Sequence, residues 1–490
     1  MPRVLSLAVA AVAAFVLTAT AAAPAHAASP DPRLVSKLDT VLADTRVPPG
    51  RTGVAVLDAG SGSRLYDRSG SRALIPASNT KIVTAVAALH TLGPGYRFRT
   101  DVIRRGRIVD GALNGRLYLK GYGDPTTGEA DYRSLARQVR AAGITKVTGR
   151  LAVDTSFFDA QRYNPGWSTG YAGDYYAAEV SALTVAPNAD YDSGTVVLTY
   201  APGKPGGKAR ITTTPAAAAR YVRIVNTTRT GASSSSSTVV ARRTHGSNTI
   251  TVSGRVPLGR APARILTTVH RPELYAAAVF RTELAKAGVT VVGGTLVTPV
   301  PRTLQRRLAR DTSMPLSALL VPFLKLSNNA HAEALTKAMG AKTTGKGSWK
   351  AGLGVTTSYL RRLGVPMTGV SLTDGSGLTQ RNRLTPRALA LTLQKVQAEP
   401  WFPTFYAALP VAGNPARLTG GTLRLRMAGT AAANNAHAKT GTLTGVSALS
   451  GYVTGRDGRR YVFSMLSNDR LRSAGPLENT LVVTLASWRR

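Results

Sequence analysis

The sequence contains no cysteine among its 490 residues. Disulfide bonds therefore cannot stabilise the fold, and zinc or iron–sulfur sites with cysteine ligands are excluded. The six histidines include no pair spaced i, i+4 and no His-Glu-x-x-His motif, which is the pattern typical of helical zinc hydrolases. We therefore expect a protein that binds no metal and no other cofactor.

Acidic residues are scarce, with 25 Asp and Glu against 62 Lys and Arg and a net charge of +37. A charge of this sign favours retention near an anionic surface, such as a cell wall with its anionic polymers. It can also reflect nothing more than an abundance of Arg and Ala in the composition. Nucleic acid is another common partner of basic chains, but the basic residues are scattered and are not interleaved with aromatic residues. We expect no nucleic-acid partner.

Long apolar runs are absent except at the start of the chain. Arg3 precedes an apolar run over 4–23, and Ala25-His26-Ala27 fits a small-x-small cleavage site. This pattern predicts a signal peptide over 1–27 and a mature chain that begins at Ala28. An uncleaved membrane anchor is the alternative reading. We expect a secreted, extracytoplasmic protein at the cell wall or the outer face of the membrane.

The composition, with 43% hydrophobic residues, suits a folded chain that is too long for one core. Helical spacing of apolar residues predicts a helix over 31–42 and another over 82–92, with a β-hairpin over 52–57 and 64–67 between them. The middle of the chain, from about 99 to 305, has short strands such as 116–120, 146–153 and 194–200, and helices over 132–142 and 274–287.

The last part of the chain has clearer patterns. Helices are predicted over 314–324, 330–339 and 477–488, and three consecutive strands over 436–442, 447–454 and 460–466. We therefore expect an α/β domain in which helices from both ends of the chain cover one face of an antiparallel sheet.

Three short motifs occur in order along the chain. They are Ser78-Asn79-Thr80-Lys81, Ser327-Asn328-Asn329 and Lys439-Thr440-Gly441. Each pattern alone occurs by chance in many proteins. Together they match the S-x-x-K, S-x-N and K-T-G set of serine β-lactamases and penicillin-binding proteins.

The first motif places a nucleophile beside a base. A serine hydroxyl is a weak nucleophile until a base takes its proton. Lys81 follows Ser78 by one helical turn, so its amine can reach the hydroxyl. An amine that is out of bulk water and close to another cation, such as Lys439, has a lowered pKa and can act as the base. Ser78 and Lys81 are therefore predicted catalytic residues.

The second motif predicts groups on the other side of the reacting bond. Ser327 can relay a proton between Lys81 and the leaving amine, and is the third predicted catalytic residue. Asn329 can orient Lys81 and bind an amide of the substrate. The alternative for Ser327 and Asn329 is a simple helix cap.

The third motif predicts a strand that binds substrate. The charge of Lys439 can bind a substrate carboxylate, and Thr440 and Thr442 are further predicted substrate-binding residues. The backbone N–H groups of Ser78 and Thr442 would form the oxyanion hole. Gly441 would let the substrate backbone approach the strand closely.

Ser327 follows Ser78 after about 250 residues, which is too long for a loop and indicates inserted domains. The motifs and their flanks resemble the class C low-molecular-mass penicillin-binding proteins. Further matching segments are Gly123-Asp124-Pro125, Val153-Asp154-Thr155-Ser156-Phe157-Phe158, Ser181-Ala182-Leu183, Asp374-Gly375-Ser376-Gly377-Leu378 and Lys439-Thr440-Gly441-Thr442-Leu443.

The resemblance implies a penicillin-binding, serine β-lactamase-like domain of the transpeptidase type over 28–98 and 308–490. It implies two smaller inserted domains, one over 99–184 and 265–307 and the other over 185–264. It also implies a D-Ala-D-Ala carboxypeptidase or endopeptidase that cleaves peptidoglycan stem peptides through an acyl-enzyme and is acylated by β-lactams.

Two other functions remain open from the sequence. A β-lactamase would use the same nucleophile with fast deacylation, although those enzymes lack the long insertion. A non-catalytic cell-wall-binding protein on the same scaffold is the other alternative, and the intact motifs argue against it.

Overall fold

The computed structural model describes residues 30–44, 50–468 and 474–489. The signal peptide predicted over 1–27 lies outside the described residues. Within them, no helix combines the length and the apolar character needed to cross a membrane.

Helices are spread over both ends and the middle of the chain, and every helix predicted from the sequence overlaps one of them. In chain order they are α1 Pro32–Leu42, α2 Thr80–Leu92, α3 Glu129–Ala141, α4 Pro272–Lys286, α5 Leu316–Lys325, α6 Asn329–Thr344, α7 Trp349–Arg362, α8 Pro386–Lys395, α9 Phe402–Ala408, α10 Arg417–Gly420 and α11 Gly475–Ala486.

The strands fall into several sheets. In chain order they are β1 Thr52–Asp58, β2 Arg64–Arg68, β3 Arg99–Val109, β4 Ala112–Gly121, β5 Lys146–Val147, β6 Leu151–Asp154, β7 Thr195–Ala201, β8 Arg210–Thr214, β9 Arg223–Gly231, β10 Val240–Arg243, β11 Thr249–Pro257, β12 Ala263–Thr268, β13 Thr290–Val291, β14 Thr295–Val297, β15 Gln305–Thr312, β16 His437–Leu443, β17 Val446–Thr454 and β18 Arg460–Ser467.

A five-stranded antiparallel sheet joins the two ends of the chain in the order β16-β17-β18-β1-β2. Alternate residues of a strand point to opposite faces. Val54 and Val56 pack in a cluster with α1 and α11, whereas Ala55 and Leu57 pack in the cluster that includes α2 and α8. The expectation of one helix-covered face was therefore wrong, because β1 is buried on both sides from Thr52 to Leu57.

Helix α2 lies inside the protein and sets the position of the first motif. Its residues from Thr80 to Leu89 are all buried, as expected for a helix that is apolar around its whole circumference. It packs between α6 and α7. The N-terminus of α2 is thereby held next to β16.

The residues between the first two motifs form three more sheets. Strands β3 to β6 and β13 to β15 make a seven-stranded sheet that packs against α3 and α4, β12-β7-β8 make the second, and β10-β11-β9 the third. Strand β15 pairs with β3 and crosses position 308, where the sequence analysis places a domain boundary. The division into domains stays a prediction.

The single strand expected over 146–153 is two strands, β5 and β6, separated by Thr148–Arg150. The backbone N–H of Gly149 donates to the carbonyl of Gly115, and a Cβ at position 149 would lie 2.3 Å from that oxygen. The close approach of these two backbone segments breaks the strand.

Candidate active site

Ser78 lies in a short 3-10 turn, Ala77–Asn79, that leads directly into α2. Ala77 has a positive φ of 45°, a strained conformation for a residue with a Cβ. The turn is held by Asn79, whose Nδ2 donates to the carbonyl of Lys439 over 3.0 Å. The Ser78 side chain is thereby half-buried at the end of α2.

Lys81 is fully buried and donates three hydrogen bonds. Its Nζ lies 2.9 Å from Ser78 Oγ, 2.6 Å from Asn329 Oδ1 and 2.8 Å from the carbonyl oxygen of Ser376. These three acceptors satisfy all three N–H groups of an ammonium ion. The side chain is therefore fixed with its nitrogen against the Ser78 hydroxyl.

Burial lowers the pKa of Lys81 to about 7, against an opposing effect of the carboxylates of Asp374 and Glu333. The low-dielectric surroundings penalise the charged ammonium. Near neutral pH a large fraction of Lys81 is consequently the free amine, which can accept the proton of Ser78.

Ser327 and Lys439 form the opposite side of the site. Ser327 also has a positive φ, 59°. Lys439 Nζ donates to Ser327 Oγ and to the carbonyl oxygen of Thr440, each over 2.8 Å. Burial lowers the pKa of Lys439, and the positive charge of Lys81 lowers it further. Two lysines thus share one site, as the sequence analysis expected.

Gly441 is required by the packing of β16 against the Ser78 turn. A Cβ at this position would lie 2.8 Å from the carbonyl oxygen of Pro76 and 3.0 Å from the backbone nitrogen of Ser78. The role in substrate approach expected from the sequence stays a prediction, and the contact with the Ser78 turn is a second reason for a glycine here. The same contact brings the backbone that leads into Thr442 next to the Ser78 N–H.

A cleft of about 500 Å³ opens above these groups. Its lining includes five of the predicted site residues, Ser78, Ser327, Asn329, Thr440 and Thr442. The other two, Lys81 and Lys439, are buried beneath it and hydrogen-bonded to Ser78 and Ser327. The structure therefore brings all seven predicted residues together, and their individual roles stay predictions.

One wall of the cleft comes from the long segment between the first two motifs. Tyr171, Tyr175 and Tyr176 line it, and Asn329 Nδ2 donates to the carbonyl oxygen of Tyr176 over 2.8 Å. No motif in the sequence pointed to these tyrosines. Their aromatic faces give the cleft an apolar wall opposite the polar strand β16.

Two buried carboxylates lie behind Lys81, and neither was a predicted site residue. Glu333 Oε1 accepts from the Ser376 N–H and its Oε2 from the Gly375 N–H. Asp374 accepts from the N–H groups of Gly377 and Thr379. Burial raises the pKa of both carboxyl groups, and the neighbouring Asp374 adds to the rise at Glu333.

These carboxylates hold the loop that presents the Ser376 carbonyl to Lys81. No sequence pattern singled out Glu333, and Asp374 entered only through a segment that resembles the family. A single acid in an apolar helix has no characteristic spacing that would reveal such a role. Among the described residues, no group of three or more His, Cys, Asp or Glu is placed to hold a metal ion.

Comparison with known proteins gives a consistent match over almost the whole chain. The sequence profile of the D-Ala-D-Ala carboxypeptidase 3 (S13) family matches residues 34–487. The D-alanyl-D-alanine carboxypeptidase of Actinomadura sp. (strain R39) is 39% identical over 487 residues, covering 96% of this chain and 88% of that protein.

The fold is similar to the crystal structure of penicillin binding protein 4 (dacB) from Haemophilus influenzae. The TM-score is 0.77 at 26% identity, covering 91% of this chain and 97% of that one. A second structure of that protein, in complex with a β-lactam, has a TM-score of 0.73 at 25% identity, covering the same shares of the two chains.

Proposed function

The chain belongs to the D-Ala-D-Ala carboxypeptidase 3 (S13) family, and from that membership we propose how its own side chains carry out the reaction. The protein is a serine-type D-Ala-D-Ala carboxypeptidase that acts on peptidoglycan. The observation that carries the assignment of roles is the 2.9 Å hydrogen bond between Lys81 Nζ and Ser78 Oγ at the floor of the cleft.

Acylation begins when the free amine of Lys81 takes the proton of Ser78. Ser78 Oγ then attacks the carbonyl carbon of the bond between the two D-alanines. The negative charge that develops on the carbonyl oxygen is stabilised by the backbone N–H groups of Ser78 and Thr442. The lowered pKa of Lys81, about 7, supports its role as the base.

Collapse of this tetrahedral intermediate breaks the peptide C–N bond, and the leaving nitrogen needs a proton. Ser327 supplies it. Because Lys439 donates to Ser327 Oγ, the O–H of Ser327 is free to point at another acceptor. Lys81, which now carries the proton from Ser78, then transfers a proton to Ser327. Ser78 has then lost one proton and the D-Ala amine has gained one, while Lys81 and Ser327 are unchanged.

Deacylation uses the same groups in the reverse roles. A water molecule replaces the departed amine, Lys81 accepts its proton, and the hydroxide attacks the ester carbonyl carbon. The bond to Ser78 Oγ then breaks and Lys81 returns the proton to Ser78. The products are the shortened peptide, with a free carboxylate, and free D-Ala.

We assign recognition of the terminal carboxylate to β16. Lys439 is buried and donates to Ser327 Oγ, and Ser327, Thr440 and Thr442 all line the cleft. The Thr440 hydroxyl donates to that of Thr422 over 2.8 Å, and it would have to exchange this acceptor for a carboxylate oxygen when the substrate binds. Asn329, which accepts from Lys81, is placed to contact an amide of the peptide.

β-Lactams are proposed to acylate Ser78 by the same steps. Attack of Ser78 Oγ on the lactam carbonyl breaks the ring C–N bond, and the nitrogen remains attached to the acyl group. The β-lactam complex of the similar protein from Haemophilus influenzae supports this reading.

We also propose that the protein is secreted, works outside the cytoplasm, and associates with anionic wall polymers. Peptidoglycan as substrate supports the location, and the net charge of +37 supports the second partner.

The roles are tested by following release of D-Ala from a soluble pentapeptide that ends in D-Ala-D-Ala. Wild-type protein is expected to release D-Ala, whereas Ser78→Ala should release none above background. Ser71→Ala, which changes an exposed serine in the same segment, is the matched control and should behave as wild type. Unchanged release by Ser78→Ala would overturn the assignment.

A further inference from the structure

The seven-stranded sheet has one face that α3 and α4 cover and another that they do not. Val102 and Leu117 belong to the core beneath the helices. Ile103 and Tyr118, the next residues on β3 and β4, lie on the opposite face and pack with Ala152 in a small separate cluster. Every second residue of each strand points to this second face.

At one end of this second face every charge has a partner. Asp101 is paired with Arg310, whose Nε lies 2.6 Å from Asp101 Oδ1. Lys120 is paired with Asp154, with 3.0 Å between Nζ and Oδ2. Both ion pairs join neighbouring strands of the sheet. At this end of the second face, the acidic and basic side chains therefore neutralise one another in ion pairs.

The other end carries arginines without acids. Arg105 lies directly opposite Arg116 in the pairing of β3 with β4. Arg107 follows on the same face of β3, and Arg307 lies opposite Ile103. All four side chains are exposed. We call Arg105, Arg107, Arg116 and Arg307 the arginine face.

None of these four arginines forms an ion pair with any residue that the structure describes. The nearest acid along the strands, Asp110, lies in the turn between β3 and β4 and is likewise without an ion pair. Like charges directly opposite on neighbouring strands destabilise a sheet. The pair Arg105 and Arg116 therefore costs stability that no internal contact offsets, which points to an anion outside the chain.

We propose that the arginine face binds a linear phosphodiester polymer of the cell envelope. Side chains two residues apart on one strand are about 7 Å apart, and those on adjacent strands about 5 Å. A flexible polymer with one phosphate in each short repeat unit can place successive phosphates against arginines at these spacings. The planar guanidinium group matches the phosphate oxygens with two parallel hydrogen bonds.

The surface is poorly suited to nucleic acid. Tyr118, the aromatic residue next to Arg116 on this face of β4, is fully buried, so it offers no platform on which a base could stack beside the arginines. The assignment rests on the proposed function, because the polymer is available only to an enzyme that works at the wall. Its effect there would be to hold the active site near its substrate by raising the local concentration.

The test compares two variants that lose the same charge. One is Arg105→Gln, Arg107→Gln, Arg116→Gln and Arg307→Gln together. The control is Arg64→Gln, Arg242→Gln, Lys342→Gln and Arg361→Gln together, four exposed cations from separate elements. Binding is measured with synthetic poly(glycerol phosphate), with a single-stranded DNA of equal charge and with phosphatidylglycerol vesicles, each at several salt concentrations.

We expect the arginine-face variant to bind poly(glycerol phosphate) about tenfold more weakly than wild type or worse, with a shallower salt dependence. The control variant should stay within about twofold, as expected for cations outside the binding face. Equal losses in the two variants would overturn the proposal. So would DNA binding or vesicle binding that is clearly tighter than binding of the polymer.

Two further measurements distinguish a failure of the polymer-binding proposal from a failure of the proposed catalytic function. Release of D-Ala from a soluble pentapeptide should be equal in the wild type and both variants, so a failed binding test leaves the catalytic assignment untouched. In addition, Arg116→Gln alone should raise the melting temperature at low salt, because it removes one of the two opposed charges. A lowered melting temperature would contradict the repulsion on which the proposal depends.

Discussion

The indole of Trp167 donates its Nε1–H to Oδ2 of Asp374 over 2.9 Å, although the two residues are 207 positions apart in the sequence. Trp167 belongs to the long segment between the first two motifs. Asp374 anchors the loop whose Ser376 carbonyl accepts a hydrogen bond from Lys81. The inserted part of the chain therefore reaches Lys81 through this loop, in addition to its contact through Tyr176 and Asn329.

Replacement of Trp167 by Phe should weaken that loop. The change keeps an aromatic ring but removes a donor to a buried carboxylate, which costs about 1–3 kcal/mol of unfolding free energy. We expect a lower midpoint in urea unfolding and slower acylation by benzylpenicillin. Trp401→Phe is the control, since Trp401 is nearly buried and its indole has no hydrogen bond to a described residue. Equal effects of the two changes would show that ring packing alone matters.

The pH dependence of kcat/KM should report the protonation of Lys81. Burial lowers the pKa of this lysine to about 7, and only the free amine can accept the Ser78 proton. Activity should therefore be low at acidic pH and rise through about pH 7 as Lys81 loses its proton. A pH profile of D-Ala release from a soluble pentapeptide measures the midpoint, and a profile flat from pH 5 to 9 would exclude Lys81 as the base.

Asp374→Asn gives the matching perturbation. The carboxylate of Asp374 raises the pKa of Lys81 against the effect of burial, so its removal should move the midpoint to lower pH. Asp457→Asn, a change at the turn between β17 and β18, should leave the midpoint in place. The pH of the midpoint is the deciding measurement, since a general loss of activity lowers the whole pH profile without shifting its midpoint. An unchanged midpoint for Asp374→Asn would contradict an effect of Asp374 on the pKa of Lys81.

Gly441→Ala should separate β16 from the Ser78 turn. The new Cβ would meet the Pro76 carbonyl oxygen and the Ser78 nitrogen at 2.8 and 3.0 Å, and both are backbone atoms that cannot move alone. A misplacement of this size costs about 10- to 100-fold in acylation rate. The control is Gly354→Ala in α7, where the new methyl group meets open space. A normal rate for Gly441→Ala would show that the predicted oxyanion hole does not depend on this contact.

His331 should contribute a pH-dependent part of the stability. Its Nε2 lies 3.0 Å from the Tyr191 carbonyl oxygen, and burial lowers its pKa to about 4. Between about pH 4 and 6.5 the unfolded chain binds a proton here that the folded protein does not, so this contribution falls as pH decreases. Its full size is about 3 kcal/mol.

The contribution of His331 is measured as a difference between proteins, because buried carboxyl groups titrate in the same range. Unfolding free energies of wild type and His331→Gln are compared at pH 4.5 and 7. The variant should lose less stability than wild type on acidification, whereas His245→Gln, at an exposed position, should match wild type. Identical losses in all three proteins would contradict the assignment.

Most of the secondary structure and the motif residues in the N- and C-terminal parts of the chain could be predicted from the sequence. The three C-terminal strands were expected over 436–442, 447–454 and 460–466, and they occur within one residue of these limits, because strand alternation and a Gly-rich turn are local signals. Ser78 and Lys81 were found because one helical turn fixes their distance. Ser327 and Lys439 were found because their motifs are known as a set.

What the sequence did not reveal depends on contacts between distant residues. The link between Trp167 and Asp374 and the pairing of Glu333 with the 375–376 backbone have no local pattern. The second helix-covered face of the five-stranded sheet was missed because the side of β1 that each helix covers is set by long-range packing, with α1 and α11 on one face and α2 and α8 on the other. The contact of Gly441 with Pro76 was not foreseen because the two residues are far apart in sequence.

The central claim, that Ser78 is the acylated nucleophile, is tested most directly by intact mass over time after mixing with benzylpenicillin. We predict a lasting one-to-one adduct on the wild-type protein and none on Ser78→Ala. A transient adduct with rapid consumption of penicillin would instead indicate a β-lactamase. The absence of any adduct on the wild type, or an equal adduct on Ser78→Ala, would contradict the claim.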